Sequence, residues 1–220
     1  MLLRAEVLGM KAIVIEPSSN PLQNLSKTAS TYFKKNNGKL FYACVPLQLE
    51  KIVKYKESKT LLSYAKVVLS GGAAISDHLA KKICEENLNI YETYGMTETV
   101  THVAIRQLSD GKALSPFTFL DGIQHKTNEN NCLSIKGLTT NNEWVHTNDI
   151  VEYTNQNSFK LLGRLDNVIN SGGLKLHPEL IEKKIGKVFE KNSINNPFFC
   201  FGKQDAHLGQ KLVLFIEGQF

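Results

Sequence analysis

Cysteine is scarce in this chain, and long apolar runs are missing from it. The four cysteines are far apart and form no CxxC pair: Cys44, Cys84, Cys132 and Cys200. This spacing indicates neither a disulfide framework nor a zinc site, so we expect reduced thiols in a cytoplasmic protein. No apolar run approaches the roughly 18 residues that a membrane span needs. The N-terminus has no small-residue cleavage site and does not predict a signal peptide.

The motifs of common zinc enzymes, hydrolases and oxidoreductases are also missing. The six histidines show neither HxxxH nor HExxH spacing, which argues against a zinc site. No GxSxG elbow occurs, and no cysteine has the context of a nucleophile. The segment SGGAAIS does not supply the GxGxxG of a Rossmann oxidoreductase.

Composition and charge place the chain among ordinary globular proteins. Its 220 residues, 42% hydrophobic and 21% charged, suffice for one large domain or one and a half ordinary ones. The net charge of +5 is not concentrated in one run. This mild bias favours anionic small molecules as ligands over nucleic acid.

The hydrophobic pattern changes along the chain. Up to residue 95, predicted strands (KAIVIEP, KLFYACVP, KVVLSGG, LNIYETYG) alternate with predicted helices (22–35, Pro46–Tyr55, and ISDHLAKKICEEN with Ser76 as its N-cap), and KTLLSYAK reads as a connection. This alternation predicts an α/β fold with a mainly parallel sheet and flanking helices. In such sheets ligands bind at the carboxyl ends of the strands.

From about residue 100, short alternating segments predict a small antiparallel, barrel-like part. A helix, HPELIEKKIGKVFEKN, and two more strands then begin a small α+β C-terminal domain. We predict a large-domain portion over 1–165 and an incomplete small domain over 166–220.

Two glycine-containing loops follow predicted strands. SGGAA (Ser70–Ala74) would let a flat ligand or a phosphate approach the backbone, although taken alone it favours a tight strand-to-helix turn, because glycine pairs are common in loops. YGMTET (Tyr94–Thr99) offers a threonine hydroxyl for a phosphate and a glutamate oxygen for Mg²⁺, with a polar surface turn as the alternative.

Two later segments add candidate ligand-binding groups. Asp149, in WVHTNDIVE, could accept both hydroxyls of a ribose, or simply form an Asx turn. In GRLDNVINSGGLKLHPELIE, Arg164 can reach ribose or phosphate oxygens and Asp166 is a candidate hinge. Lys175 is a candidate cation for a phosphate, or an ordinary solvated side chain.

Taken in order, these four motifs resemble the adenylate-forming superfamily of acyl-CoA synthetases, luciferases and adenylation domains. The resemblance covers about residues 65–185 and implies ATP-dependent activation of a carboxylate, followed by transfer to a thiol such as coenzyme A. Within the superfamily, DNVINSGGLKLHPELIE is most similar to the o-succinylbenzoate–CoA ligases of menaquinone biosynthesis.

The resemblance also implies roles for individual residues. Thr97, Glu98 and Lys175 would be catalytic, with Glu98 as the Mg²⁺ ligand, and Asp166 would be the hinge of the small domain. His102, Gly172 and Gly173 would bind substrate. The ATP-binding residues would be Gly71, Gly72, Ala73, Tyr94, Gly95, Met96, Asp149 and Arg164.

Two family features have no counterpart in this sequence. Nothing in residues 1–69 matches the family's phosphate loop, TSGTTGxPK, and neither Lys203 nor Lys211 matches its C-terminal catalytic lysine. We therefore expect a chain truncated at both ends, and an inactive one in isolation. The alternatives are a non-catalytic remnant that binds a nucleotide or an acyl group, or a ligase for another aryl or fatty acid.

Overall fold

The structure, a computed structural model, describes residues 2–23, 25–108 and 115–218, without the side chain of Leu2. The chain divides into two compact units. Unit 1 comprises Met1–Tyr94 and Ile105–Ser115, and unit 2 comprises Gly95–Ala104 and Pro116–Phe220. The domain boundary predicted at Asp166 falls inside unit 2 and stays a prediction.

Unit 1 is built on three parallel strands in the order β1-β2-β3. The strands are β1 (Leu40–Cys44), β2 (Ala65–Ser70) and β3 (Ile90–Gly95). The helices are α1 (Leu2–Val7), α2 (Lys27–Lys35), α3 (Pro46–Lys54), α4 (Lys56–Leu62) and α5 (Asp77–Glu85). The parallel pairing arises because a helix returns the chain between consecutive strands.

The core of unit 1 forms where the apolar faces of these helices meet the sheet. Leu49, Ile52, Leu62, Ile83 and Ile90 are among its most deeply buried side chains. Ser76 is the N-cap of helix α5, as predicted, because its hydroxyl accepts a hydrogen bond from the Leu79 N–H at 3.2 Å.

Three details of the prediction for unit 1 were wrong. Residues 11–17 form no strand, because no described strand pairs with them and a β-strand needs a neighbour for its backbone groups. KTLLSYAK is no mere connection, because α4 runs through Leu62, which is buried. The helix expected from residue 22 begins only at Lys27, where the Ser26 hydroxyl caps its first turn.

Unit 2 contains the predicted antiparallel part. Its strands after residue 116 pair in the order β5-β9-β8-β7-β6. They are β5 (Phe117–Phe119), β6 (Gln124–Thr127), β7 (Cys132–Lys136), β8 (Val145–Asn155) and β9 (Ser158–Arg164), while β4 (His102–Gln107) precedes them in the chain. Buried phenylalanines fill the space between strands, since the ring centroids of Phe117 and Phe119 lie 5.6 Å and 4.7 Å from that of Phe159.

A second, four-stranded antiparallel sheet completes unit 2, in the order β11-β10-β13-β12. Its elements are β10 (Ile169–Ser171), β11 (Leu174–Leu176), α6 (Pro178–Lys191), β12 (Phe198–Asp205) and β13 (Gly209–Ile216). The predicted helix and last two strands are present, whereas the β10–β11 hairpin was not foreseen. The predicted fold class, a mainly parallel α/β part, an antiparallel part and a small α+β part, is confirmed.

Two negative features concern the described part of the chain. Its longest helix, α6, has 14 residues, and none of its helices has the length and apolar character that a membrane span requires. None of the four cysteines, all of which the structure describes, forms a disulfide bond.

Candidate active site

The SGGAA loop leaves unit 1 at the carboxyl ends of its parallel strands. Ser70 is the buried last residue of β2, and the Gly71 N–H donates to the Cys44 carbonyl, at the end of β1, at 3.3 Å. Thr93 of β3 donates through its hydroxyl to the Ser70 carbonyl at 3.4 Å. The loop is thus fixed to both neighbouring strands at the edge where parallel sheets bind ligands.

Glycine is required at the two positions of this loop for different structural reasons. A Cβ atom on Gly71 would lie 2.1 Å from the Thr93 hydroxyl oxygen, so a side chain there would push the loop away from β3. Gly72 has a φ of +88°, which favours glycine. Gly72 and Ala73 are exposed, so a flat group can lie against their backbone.

A buried ion pair that the sequence reasoning missed supports the same loop. Glu92 is 2% exposed, and its Oε1 accepts a hydrogen bond from the Ile75 N–H at 3.0 Å. Its Oε2 accepts one from Arg106 Nε at 2.7 Å and lies 2.6 Å from Arg106 Nη2. The available signal was alternation, because Ile90, Glu92 and Tyr94 share the buried face of β3.

Tyr94, predicted to form a wall against a ring, is at the same edge of unit 1. It is the penultimate residue of β3 and only 8% exposed. It can therefore offer a ligand no more than a small part of its surface.

In unit 2, the residues from Gly95 to Thr99 form a tightly fixed turn. A Cβ on Gly95 would lie 2.6 Å from both His102 Cα and the Thr101 carbonyl oxygen, and this backbone contact excludes any larger residue. The buried Thr99 hydroxyl accepts a hydrogen bond from the Met96 N–H at 3.0 Å and donates to the Thr101 carbonyl at 2.8 Å.

This fixed turn presents its two predicted chemical groups to solvent. Thr97 and Glu98 occupy the exposed side of a short 3₁₀ turn, Thr97–Thr99. Val100 follows with φ +61° and ψ −41°, a strained conformation for a β-branched residue. Such strain occurs preferentially at functional sites, where the surrounding structure maintains it.

His102, the predicted pocket residue, lies directly beside this turn. It is half-buried, and its Nδ1 lies 3.3 Å from the Thr101 hydroxyl. Its backbone forms the surface that Gly95 contacts.

Asp149 lies within β8, and it is brought together with Arg164, the last residue of β9, and with Asp166, which follows β9. Asp149 and Arg164 are register partners on these strands, with Arg164 Nη1 lying 3.6 Å from Asp149 Oδ1. Arg164 Nη2 donates to Asp166 Oδ2 at 2.9 Å, and this hydrogen bond lowers the pKa of the Asp166 carboxyl. The result is a cation flanked by two carboxylates, in which the carboxylates can accept hydrogen bonds from hydroxyl groups and the guanidinium can donate to oxygen atoms.

Gly172, Gly173 and Lys175 form a separate group on the β10–β11 hairpin. The two glycines, with φ of +57° and +86°, make its two-residue loop, a turn for which paired glycines are preferred. The Gly172 N–H donates to the Leu208 carbonyl at 2.9 Å, which anchors the loop. Lys175 is exposed on β11, opposite Asn170.

The donor chemistry of the site fits Mg²⁺ bound together with phosphates. Among the described residues, no group of three or more His, Cys, Asp or Glu side chains could hold a metal by itself. Mg²⁺ on a nucleotide commonly uses only one or two protein carboxylates and keeps several waters. The exposed carboxylate of Glu98 satisfies that requirement.

A cavity of about 610 Å³ lies elsewhere in unit 1, lined by residues between Arg4 and Gln48. Arg4 is on its wall, with its guanidinium carbon 5.1 Å from the ring centroid of Phe41. None of the glycines of the SGGAA loop lines this cavity.

Comparison with known proteins identifies the family. Residues 2–119 match the family described as AMP-binding enzyme. The chain belongs to this AMP-binding enzyme family. The match confirms the resemblance carried by the SGGAA and YGMTET motifs, since both lie within the matched residues.

Individual members of the AMP-binding family agree with this assignment. The chain is 28% identical to the 2-succinylbenzoate–CoA ligase of Haemophilus influenzae over 79% of its own length and 40% of that enzyme. A solved AMP-forming acyl-CoA synthetase/AMP-acid ligase II-like protein from Dyadobacter fermentans is 42% identical, with a TM-score of 0.60, over 93% of this chain and 56% of that one.

The fold extends to more distant members. The o-succinylbenzoate CoA synthetase of Bacillus subtilis, solved with its acyl-adenylate intermediate, matches 98% of this chain and 47% of its own with a TM-score of 0.72 at 17% identity. The chain therefore spans about half the length of the relatives that it matches, or less.

Proposed function

We propose that the protein carrying this chain is an ATP-dependent acid–CoA ligase that activates o-succinylbenzoate in menaquinone biosynthesis. The main structural support is the turn at Gly95–Thr99, which is fixed by the buried Thr99 hydroxyl and followed by the strained Val100. This turn presents Thr97 and Glu98 to solvent side by side. Membership of the AMP-binding family and the relatives named above support the substrate class.

In the first step, an oxygen of the substrate carboxylate attacks the α-phosphorus of ATP, and the bond to the leaving pyrophosphate breaks. We assign to the Thr97 hydroxyl a hydrogen bond to the α-phosphate, where charge develops in the transition state. Glu98 would hold Mg²⁺, which when bound offsets the phosphate charge. The exposed Lys175 is assigned to the same phosphate charge.

Nucleotide binding is assigned to the Asp149–Arg164 pair and to the SGGAA loop. Asp149 would accept hydrogen bonds from the ribose hydroxyls, with Arg164 held in place by its contacts with Asp149 and Asp166. The exposed backbone of Gly72 and Ala73 would lie against the adenine, beside Tyr94. Met96 adds an apolar side chain at the start of the turn.

In the second step, the sulfur of coenzyme A attacks the acyl carbon, AMP leaves, and the thiol proton passes to solvent. We propose that the residues after Asp166 swing between the two steps, and that the Gly172–Gly173 loop borders the path of the thiol. His102, beside the Thr97–Glu98 turn, is assigned to the acyl group.

The test uses the longest open reading frame that contains this sequence. The protein is incubated with Mg·ATP and o-succinylbenzoate, benzoate or a medium-chain fatty acid, with and without coenzyme A, and products are detected by mass spectrometry. Of the three acids, we expect only o-succinylbenzoate to give an adenylate. Addition of coenzyme A should convert this adenylate to a thioester. An adenylate with another acid would support the proposed ligase activity but reject the assignment to menaquinone biosynthesis. ATP binding without any adenylate would indicate a non-catalytic binding protein.

A further inference from the structure

Glu179, in the first turn of α6, reaches back to the strand end that carries Arg164. Its Oε1 accepts hydrogen bonds from the Arg164 backbone N–H at 3.4 Å and from Asn167 Nδ2 at 2.6 Å. The two donors stand on opposite sides of Asp166 in the chain. One carboxylate oxygen therefore spans the whole turn that follows β9.

The second oxygen of the same carboxylate is buried against Gly163. A Cβ atom on Gly163 would lie 2.5 Å from Glu179 Oε2, so glycine makes room for the carboxylate. Among the described residues, none donates a hydrogen bond to this buried oxygen. A buried carboxylate oxygen without a donor is unfavourable, because water would have supplied one.

These contacts make the attachment both specific and releasable. The hydrogen bonds to Oε1 hold Glu179 in place, while exposure of Oε2 to water would recover its lost hydration. The recovered hydration offsets part of the free energy lost with the hydrogen bonds, so release of the contact costs less than the two bonds alone would suggest.

Arg164 depends on this attachment at its backbone. Its guanidinium contacts Asp149 and Asp166, while its amide is the group that Glu179 holds. Movement of Glu179 would therefore shift the main chain from which the Arg164 side chain extends.

We propose that Glu179 is a positioning residue that latches α6 to the end of β9 and thereby sets the place of Arg164. When the residues after Asp166 rotate, Asn167 moves with α6 and Arg164 stays with β9. The hydrogen bond between Glu179 and the Arg164 amide must then break. The kinetic consequence of the latch rests on the proposed ligase function, but its existence does not.

Hydrogen exchange at the Arg164 amide tests the latch without any catalysis. We expect exchange about tenfold faster in Glu179→Ala than in the unaltered protein, because the acceptor is lost. Glu179→Gln should exchange at nearly the original rate, since its side-chain carbonyl can still accept. Glu190→Ala, which removes a glutamate about three turns further along α6, should leave the amide unchanged.

Unchanged exchange in Glu179→Ala would overturn the latch. If that variant does not fold, Asn167→Ala serves instead, because it leaves the carboxylate present but removes one of its two donors. It must also raise exchange at Arg164, and an unchanged rate there would equally reject the proposal.

The kinetic test compares adenylate formation with thioester formation in the same protein. We expect Glu179→Ala to change the ratio of the two rates by at least about threefold, with Glu179→Gln restoring it. An equal loss of both rates would mean that Glu179 only supports the fold. Absence of adenylate from the unaltered protein would instead reject the proposed function, while the exchange measurement would still decide the latch.

Discussion

Val100, the residue directly after the YGMTET segment, has a strained backbone conformation. Its φ of +61° is unusual for a β-branched residue. Its side chain is 82% exposed, so burial of the side chain does not offset the free-energy cost of this strain. The strain is maintained by the Thr99 hydrogen bonds on one side and by the Gly95 contact with His102 on the other. A feature that lowers stability and sits beside Thr97 and Glu98 is expected of a site selected for activity.

Replacing Val100 by glycine should therefore stabilise the protein. Strain of about 1–3 kcal/mol is relieved, and about 0.5–1 kcal/mol is lost to the greater freedom of glycine in the unfolded chain, leaving a gain of about 1 kcal/mol. Urea denaturation measures the change. Val14→Gly is the control, because Val14 is 87% exposed and lies outside any helix or strand, so only the entropic loss applies. A lower urea midpoint for Val100→Gly would contradict the strain.

His125 is the histidine with the clearest reason to stay neutral. Its ring stacks on Phe119 with centroids 3.9 Å apart, and its Nδ1 lies 2.8 Å from the Tyr153 hydroxyl. Burial lowers the pKa of His125 below its usual value of 6.5. Protonation of this histidine is therefore easier in the unfolded chain than in the folded one.

Because the pKa of His125 is lower in the folded protein than in the unfolded chain, stability depends on pH. The contribution of His125 is complete above the unfolded pKa, about 6.5, and is lost as the pH falls from there through the lower folded pKa. We expect His125→Phe, which keeps a stacking ring but binds no proton, to lose less stability than the unaltered protein between about pH 7 and pH 5. Urea midpoints across this range give the slopes, with the exposed His78→Asn as control. Equal slopes for all three proteins would refute the assignment.

At the scale of elements, the Glu92–Arg106 pair joins β3 to β4 and to the loop before α5. Both side chains are largely removed from water, at 3% and 14% exposure, so breaking the pair leaves a charge that is poorly solvated. The Ile75 N–H would lose its acceptor as well. The SGGAA loop, which ends at Ala74, depends on this acceptor for its position.

Two substitutions of Glu92 should separate the loss of the ion pair from the loss of the acceptor for the Ile75 N–H. Glu92→Leu removes both partners' bonds and should cost about 3–5 kcal/mol of unfolding free energy. Glu92→Gln keeps an acceptor for Ile75 and should cost less, about 1–3 kcal/mol. In the control Glu152→Gln, an exposed pair with Lys160 at 3.8 Å is lost, and the cost should stay below about 1 kcal/mol in the same urea titrations. Similar values for the Glu92 and Glu152 variants would show that the buried pair adds no special stability.

The turn at Asp166 is the element proposed to change between the two reaction steps. Asp166→Pro fixes one backbone angle there, so we expect adenylate formation to continue and thioester formation to fall. Asp166→Asn is the matched control, because it removes the charge that faces Arg164 but leaves the backbone free. Stopped-flow measurement of the two half-reactions separates them. Equal loss of both steps in the proline variant would count against a hinge at this position.

The sequence pattern correctly predicted helices and strands that depend on local signals such as a helix cap. It failed where the structure depends on contacts with residues that are distant in the sequence. Ser76 caps α5 as expected because its hydroxyl acts on its own helix. KAIVIE has the composition of a strand, but composition supplies no neighbouring strand. Glu92 was overlooked because a charged residue in a strand normally faces water, and only the distant Arg106 makes its burial tolerable.

For the candidate site, the sequence indicated the motifs but not the contacts that support them, and the roles of the site residues stay predictions. YGMTET and SGGAA were recognised because, together with the two later motifs, they resemble the motifs of a known family. The attachment of Glu179 to Arg164 and Asn167 depends on how α6 folds back, which no local pattern encodes.

At the scale of the whole molecule, the net charge of the chain bears on the kind of ligand that it binds. The small positive net charge of +5 suits a protein whose proposed ligands, ATP, an organic acid and coenzyme A, are all anions.

The most direct test of the proposed function is exchange of labelled pyrophosphate into ATP, driven by o-succinylbenzoate and Mg²⁺, in the full open reading frame. We expect exchange in the unaltered protein and a rate at least about tenfold lower in Glu98→Gln, because this substitution would remove the carboxylate proposed to hold magnesium at the phosphoryl site. The exposed Glu152→Gln should retain the full rate. Full exchange in Glu98→Gln would remove this glutamate from the metal site, and no exchange in the unaltered protein with any acid would contradict the adenylate-forming activity itself.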